Sequence, residues 1–197
     1  VLPPRVAPIQ VRIIPIRDTE PGVIETAQKL KEELIKKQIR VDIDESQKSP
    51  GFKFSEAEMR GIPIRIELGP KDIEKNKCIV VKRNDNQKIE MEIDGNFAKN
   101  IEGLLNIIHN EMYEKAVSYL NDHITRIHTF EEFEKVLEEK KGFVQAPWCG
   151  ETECELEIKE KTTATSRCIT EQEVEENETC ICCGKKAKHI VNFAKSY

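Results

Sequence analysis

The chain has 197 residues, 38% hydrophobic and 34% charged, which bounds it to one large or two small globular domains with modest cores. No apolar run approaches the ~20 residues needed to cross a bilayer, and the start, VLPPRVAPIQ, lacks the basic-then-apolar order of a secretory signal. A net charge of -5 argues against general affinity for nucleic acid, which comes from neutralising phosphates. The charge is uneven: residues 53–88 carry nine Lys/Arg against six Asp/Glu, whereas residues 131–178 carry six against fifteen. An RNA partner is therefore expected at the first half.

The opening PP and AP pairs read as an extended linker over residues 1–5. Val1 as first residue points to a chain cut from a longer one. Residues 6–16, VAPIQVRIIPI, are mostly apolar and β-branched and predict a strand buried on both faces. Asp18 or Thr19 can cap the next helix, with Pro21 in its first turn and a stripe of Ile24, Ala27, Leu30, Leu34 and Ile35. Residues 39–43 alternate as a second strand, so the opening is a β-α-β unit with parallel pairing.

Residues 49–72, SPGFKFSEAEMRGIPIRIELGPKD, carry the densest chemistry. A Pro-Gly turn is followed by two Phe, a short charged helical segment, an alternating strand and a Gly-Pro-Lys-Asp turn. In the strand Ile62, Ile64, Ile66 and Leu68 share one face and Arg65 and Glu67 the other, with Pro63 marking an edge or a strand start. Aromatic faces beside Lys53, Glu56, Glu58, Arg60, Arg65 and Lys71 suit unpaired RNA bases, which need a ring to stack on and charged groups at base edges. A turn-helix-strand unit with solvated charges accounts for the same residues, and the pattern alone leaves both readings open.

A hairpin follows, with strands at 78–82 and 89–93 around Asn84-Asp85-Asn86. Residues 96–120 predict a long amphipathic helix, and a shift in composition after Asn121 marks a domain boundary. His109, His123 and His128 read as surface or packing histidines. Thr129 with Glu132 forms a capping box for a helix to Glu139. A strand over 142–148, an acidic helix to Lys161, a Thr/Ser-rich turn, a strand at 167–169, a disordered-looking acidic stretch over 170–179 and a last strand at 189–194 complete the order.

Seven cysteines without a secretory signal do not suggest a disulfide framework. Cys149-x4-Cys154 and Cys180-x2-Cys183, 25 residues apart, have the spacing of two zinc-ligand pairs, with Gly184 permitting the knuckle turn. Four thiolates leave no open position for water, so the expected zinc is structural. A redox pair at Cys180 and Cys183, or plain buried thiols, are the other readings. Cys182 is a bystander, and Cys78 and Cys168 are expected in the core.

Together with CGETEC, TTATSRC, CICCG and the terminal FAKSY, the 49–72 stretch resembles the C-terminal half of prolyl-tRNA synthetases of the archaeal/eukaryote-like class II type, over nearly the whole chain. The resemblance implies an α/β fold: a mixed-sheet class IIa anticodon-binding domain flanked by helices over 1–121, then a small α+β zinc-binding domain over 122–197. It implies that Phe54 stacks on an anticodon base, that Glu58 recognises a guanine, and that Arg65 and Lys71 donate to guanine acceptors, with Lys53 and Lys88 at phosphates. Zinc would sit on Cys149, Cys154, Cys180 and Cys183, and the Tyr197 carboxylate would approach the active site of the complete enzyme. Ala57 departs from the family, which often has Trp there. The implied partners are the tRNA(Pro) anticodon loop and an absent class II catalytic domain that alone uses ATP and Mg, in a cytoplasmic homodimeric parent, with neither membrane nor DNA involved. This chain by itself is expected to be catalytically inactive. A zinc-stabilised protein-interaction module without RNA binding is the alternative.

Overall fold

The computed structural model describes residues 1–195, and Tyr197 lies outside the described residues. The chain divides into two compact units, Val1–Lys115 and Ala116–Tyr197.

The first unit is built on a five-stranded mixed sheet. Strand β1 (Val11–Pro15) is buried along its whole length because it lies between β2 (Val41–Ile43) and β3 (Ile64–Leu68), both parallel to it. Arg12, buried within it, is neutralised across the register by Asp42 at 2.7 Å. Antiparallel β4 (Lys77–Lys82) and β5 (Lys88–Glu92) complete the order β2-β1-β3-β4-β5. Helices α1 (Val23–Lys36) and α4 (Phe97–Asp122) close one face, burying Leu30, Leu34, Phe97, Ile101 and Ile108 against Ile13, Ile64, Ile66 and Val80. On the other face α2 (Pro50–Met59) sets Ala57 against Ile14 and Ile62.

Several local expectations need correction. Gly22, in the left-handed region at φ 84°, takes the N-cap position of α1 in place of Asp18 or Thr19, and Ile35 ends up exposed. Pro50 and Gly51 open α2 rather than a turn: Ser49 caps the helix through the Phe52 amide, and Pro50 occupies a first-turn position where no amide is required. Gly69–Asp72 is likewise no simple turn. It starts the short helix α3 (Pro70–Glu74), closed by the Asp72 carboxylate accepting the Gly69 amide at 2.9 Å. β3 is interior, and Pro63 precedes it, its carbonyl accepting from the Arg83 amide.

The second unit has a four-stranded sheet, β6-β7-β9-β8. β6 (Ile124–Arg126), not anticipated from the sequence, runs parallel to β7 (Phe143–Trp148). Between them α5 (Phe130–Glu139) carries the expected capping box, with the Glu132 amide on the Thr129 hydroxyl and the Thr129 amide on the Glu132 carboxylate. Then come α6 (Thr152–Thr162), β8 (Ala164–Ile169) and β9 (His189–Lys195). The Thr/Ser turn is confined to Thr163 at φ 62°, because Ala164, Thr165 and Ser166 already pair with β9. The core centres on an edge-to-face pair, Phe133 and Phe193, 5.5 Å between centroids. Gly142, at φ 125°, has no room for a side chain: a Cβ there would fall 2.1 Å from the His123 carbonyl oxygen. The stretch 170–179 is anchored rather than loose. The Thr170 amide bonds the Ile190 carbonyl, and buried Glu178 pairs with Arg126 and His128. No helix among the described residues is long and apolar enough to cross a membrane.

Candidate nucleic-acid interface and metal centre

Positions 54 and 58 lie one turn apart on α2 and therefore share a face. That face looks onto β3, whose alternation turns Arg65 and Glu67 toward α2 and away from the apolar core. Phe54 is half-buried and packs against the Ile14–Ala57–Ile62 cluster. The Arg65 guanidinium lies 4.8 Å from the Phe54 ring centroid. Arg65 Nη1 pairs with the Glu58 carboxylate, and Arg65 Nε donates to Glu67 Oε1 at 2.9 Å. Lys88 Nζ, reaching over from β5, stands 3.7 Å from Glu67 Oε2. The structure thus gathers Phe54, Glu58 and Arg65 into one cluster and joins Lys88 to it through Glu67. Lys71 is exposed on α3 and takes no part in these ion pairs among the described residues.

Lys53 does not stand where a phosphate contact requires. It is 3% exposed, and its ammonium donates to the Asp44 carbonyl at 3.0 Å. Residue 53 falls on the side of α2 turned toward Asp44, whose burial opposes its charge. The Ser46 hydroxyl and amide, with Lys53 and Arg12, outweigh that and hold the Asp44 carboxyl below its ordinary value.

Two cluster members were not singled out from the sequence. Glu67 carries a signal in the sequence, the strand face it shares with Arg65 two residues away, but that alternation gives it no role. Arg83 carries none, since only the β3–β4 pairing brings its Nε to the Glu58 carbonyl at 3.3 Å. Ala57, the departure noted above, is buried beside a small opening lined by Glu58, Arg65 and Arg83.

In the second unit Cys149 follows β7, Cys154 lies in the first turn of α6, and Cys180 and Cys183 form a knuckle before β9. The knuckle closes through the Gly184 amide on the Cys180 carbonyl at 2.9 Å, with Gly184 at φ 70°. The four sulfur atoms lie within 4.8 Å of one another, with Cys149–Cys154 at 3.6 Å and Cys149–Cys183 at 3.8 Å. A tetrahedral ion bonded to sulfur at ~2.3 Å sets its ligands roughly 3.8 Å apart, so the group has the dimensions of a four-thiolate metal site. Burial pushes the Cys149 and Cys154 thiols up, while the Lys185 amide and neighbouring thiols bring Cys183 down to about 7. Glu178, two residues before Cys180, ties the knuckle to β6 through Arg126.

Of the other thiols, Cys78 is buried in the first core, and burial followed by the Asp72 charge raises it to about 12. Cys168 is exposed rather than in a core, because β8 is an edge strand whose last three residues are all exposed. Cys182 is half-buried beside the cluster, raised to about 11 by burial and then by Glu157. His109, His123 and His128 lie outside the four-sulfur group. His123 stacks on Tyr119, and His128 faces Glu178.

Residues 10–102 match the family model described as "Anticodon binding domain", and residues 130–197 the one described as "Prolyl-tRNA synthetase, C-terminal". The chain is 47% identical over 196 residues to a proline–tRNA ligase of Clostridium botulinum (strain 657 / Type Ba4). It is 49% identical over 197 residues to one of Lachnoclostridium phytofermentans and 44% identical over 196 residues to one of Clostridium novyi (strain NT). Each comparison covers 100% of this chain and 41% of the relative, so the chain spans about two fifths of the length of the relatives it matches.

Proposed function

We propose, for a chain that belongs to the prolyl-tRNA synthetase family as its C-terminal part, that residues 1–121 read the anticodon of tRNA(Pro) for a proline–tRNA ligase whose catalytic core lies outside these 197 residues. The carrying observation is the convergence of Phe54, Glu58 and Arg65 on one partly exposed surface between α2 and β3. Phe54 offers a face for base stacking. The Glu58 carboxylate complements the N1–H and N2–H2 donors of guanine, and Arg65 and Lys71 its O6 and N7 acceptors. Specificity then arises from differential affinity, with each wrong anticodon base costing roughly 1–3 kcal/mol.

Glu58→Ala should weaken binding of proline tRNA at least tenfold more than binding of other tRNAs. Equal loss on every tRNA removes the base-reading role. In the same reading the parent attaches proline to tRNA(Pro) with ATP and Mg as a cytoplasmic homodimer, and this chain alone forms no prolyl-adenylate.

Residues 122–197 form the accompanying structural domain, with zinc as the ion on Cys149, Cys154, Cys180 and Cys183. The donor set supports this choice: four thiolates favour a soft or borderline ion and leave no site for catalytic water. Metal analysis of the purified protein should give one equivalent of zinc per chain, and less than about half an equivalent rejects it.

A further inference from the structure

We infer that Glu67 is a positioning residue for anticodon reading: it grips Arg65 by Nε and thereby fixes which guanidinium edge is presented to a guanine. The inference rests on the proposed reading of the Phe54–Glu58–Arg65 surface. Glu67 is 7% exposed and so belongs to the fold rather than to the surface that meets RNA. A buried carboxylate is retained only where its charge is met, and here the partners are Arg65 Nε at 2.9 Å and Lys88 Nζ at 3.7 Å.

The donor arithmetic separates the roles of the two acids. Arg65 has five N–H donors in a rigid fork. Glu67 takes the Nε–H and Glu58 takes one on Nη1. Three remain, and a bidentate bond to guanine O6 and N7 consumes two. Glu58, half-exposed, can leave Arg65 for the N1–H and N2–H2 edge of a base. Without a second anchor, that departure would free the guanidinium to rotate on its long stem. Glu67 supplies the anchor, because its backbone is locked in β3 between β1 and β4 and its side chain is enclosed. The Phe54 ring, its centroid 4.8 Å from the guanidinium carbon, limits the remaining tilt. Arg65, its side chain 11% exposed, is thus held at Nε by Glu67 and beside the Phe54 ring before any RNA arrives.

The test uses the 197-residue protein and three anticodon stem–loops: one with the tRNA(Pro) guanines, one with 7-deazaguanine in place of each, and one with inosine in place of each. 7-Deazaguanine lacks the N7 acceptor and reports on the donors to that edge, Arg65 and Lys71; inosine lacks the N2 amino group and reports on Glu58. The unaltered protein should prefer guanine over both analogues by about tenfold, the scale of one base contact. Glu67→Leu, close in volume but without an acceptor, should lose the Arg65 share of the preference over 7-deazaguanine and keep the preference over inosine. In the free protein the Arg65 Nε–H resonance should exchange slowly with solvent and become fast in Glu67→Leu. This signal carries the test if the variant binds poorly. If Glu67→Leu does not fold, a fast-exchanging Nε–H in the unaltered protein overturns the inference and a slow one sustains it. Loss of both preferences together, or of neither, also overturns it. An unaltered protein that prefers guanine over neither analogue instead sinks the anticodon reading itself.

Discussion

The two units solve the problem of holding a small fold together differently. The first buries one continuous apolar layer, seventeen buried residues from Val11 to Ile108, between the sheet and helices α1 and α4. The second gathers nine among the described residues around Phe133 and Phe193 and sets beside them a separate knot of buried Cys149, Cys154 and Cys180 with Cys183. Hydrophobic stabilisation scales with apolar area removed from water, so a core about half the size leaves a correspondingly thinner margin against chain entropy. A metal held by those four sulfurs in the folded arrangement alone would compensate for that margin. The contrast sets burial, in the unit that carries the candidate RNA surface, against a four-thiol group with the dimensions of a metal site in the other.

Stripping the metal should separate them most sharply. With a strong chelator at neutral pH, or with Cys149→Ser, the second unit should unfold while the first retains its structure. Structural zinc contributes on the order of 10 kcal/mol in small domains, comparable to the whole net stability of a typical domain. Trp148, the protein's one tryptophan, packs against the cysteine knot, so its fluorescence should shift while the far-ultraviolet signal of the first unit persists. A single cooperative loss of both would break the comparison.

Core truncation is next in size. Phe133→Ala and Phe97→Ala each remove a fully buried ring and should each cost about 3–5 kcal/mol. Urea titration should show the second unit largely unfolded by Phe133→Ala, but the first still folded with Phe97→Ala.

Acid should act more gently on the first unit. The Asp44 carboxyl is held below its ordinary value when folded, so its contribution is complete above the unfolded value near ~4 and is lost as pH falls through the lowered one. The urea midpoint of the first unit should fall between about pH 5 and 2, and Asp44→Asn should flatten part of that fall. Smallest of all is Lys53→Met, which keeps the aliphatic stem and removes one hydrogen bond to a carbonyl, for about 1 kcal/mol. The salt dependence of tRNA binding should stay unchanged. A slope reduced by about one charge would return Lys53 to the phosphate backbone.

Those outcomes bear on how far residues alone can be read. The run over 6–16 announced a strand covered on both faces, which the structure confines to Val11–Pro15, and Thr129 with Glu132 announced a helix start, because burial and capping are local in sequence. β6 gave no such signal. Three residues make a strand only because β7 lies alongside, and that partner is about twenty residues away. Lys53 misled because a lysine is ordinarily solvated, and only the fold brings the Asp44 carbonyl within its reach. Phe54 and Glu58 could be paired by helical spacing. Their meeting with Arg65 depended on α2 lying across β3, and the anchoring by Glu67 on which side of that strand is enclosed.

Gly142 carries a consequence for how this sequence can drift. Even alanine at that site would drive a carbon into the oxygen that receives the Phe143 amide, the contact that brings β6 alongside β7. Saturation mutagenesis should return one survivor there, while Gly95 and Gly103, with open space around them, accept many replacements. One hydrogen atom in place of a side chain therefore acts as a hard evolutionary gate on the second half of the molecule.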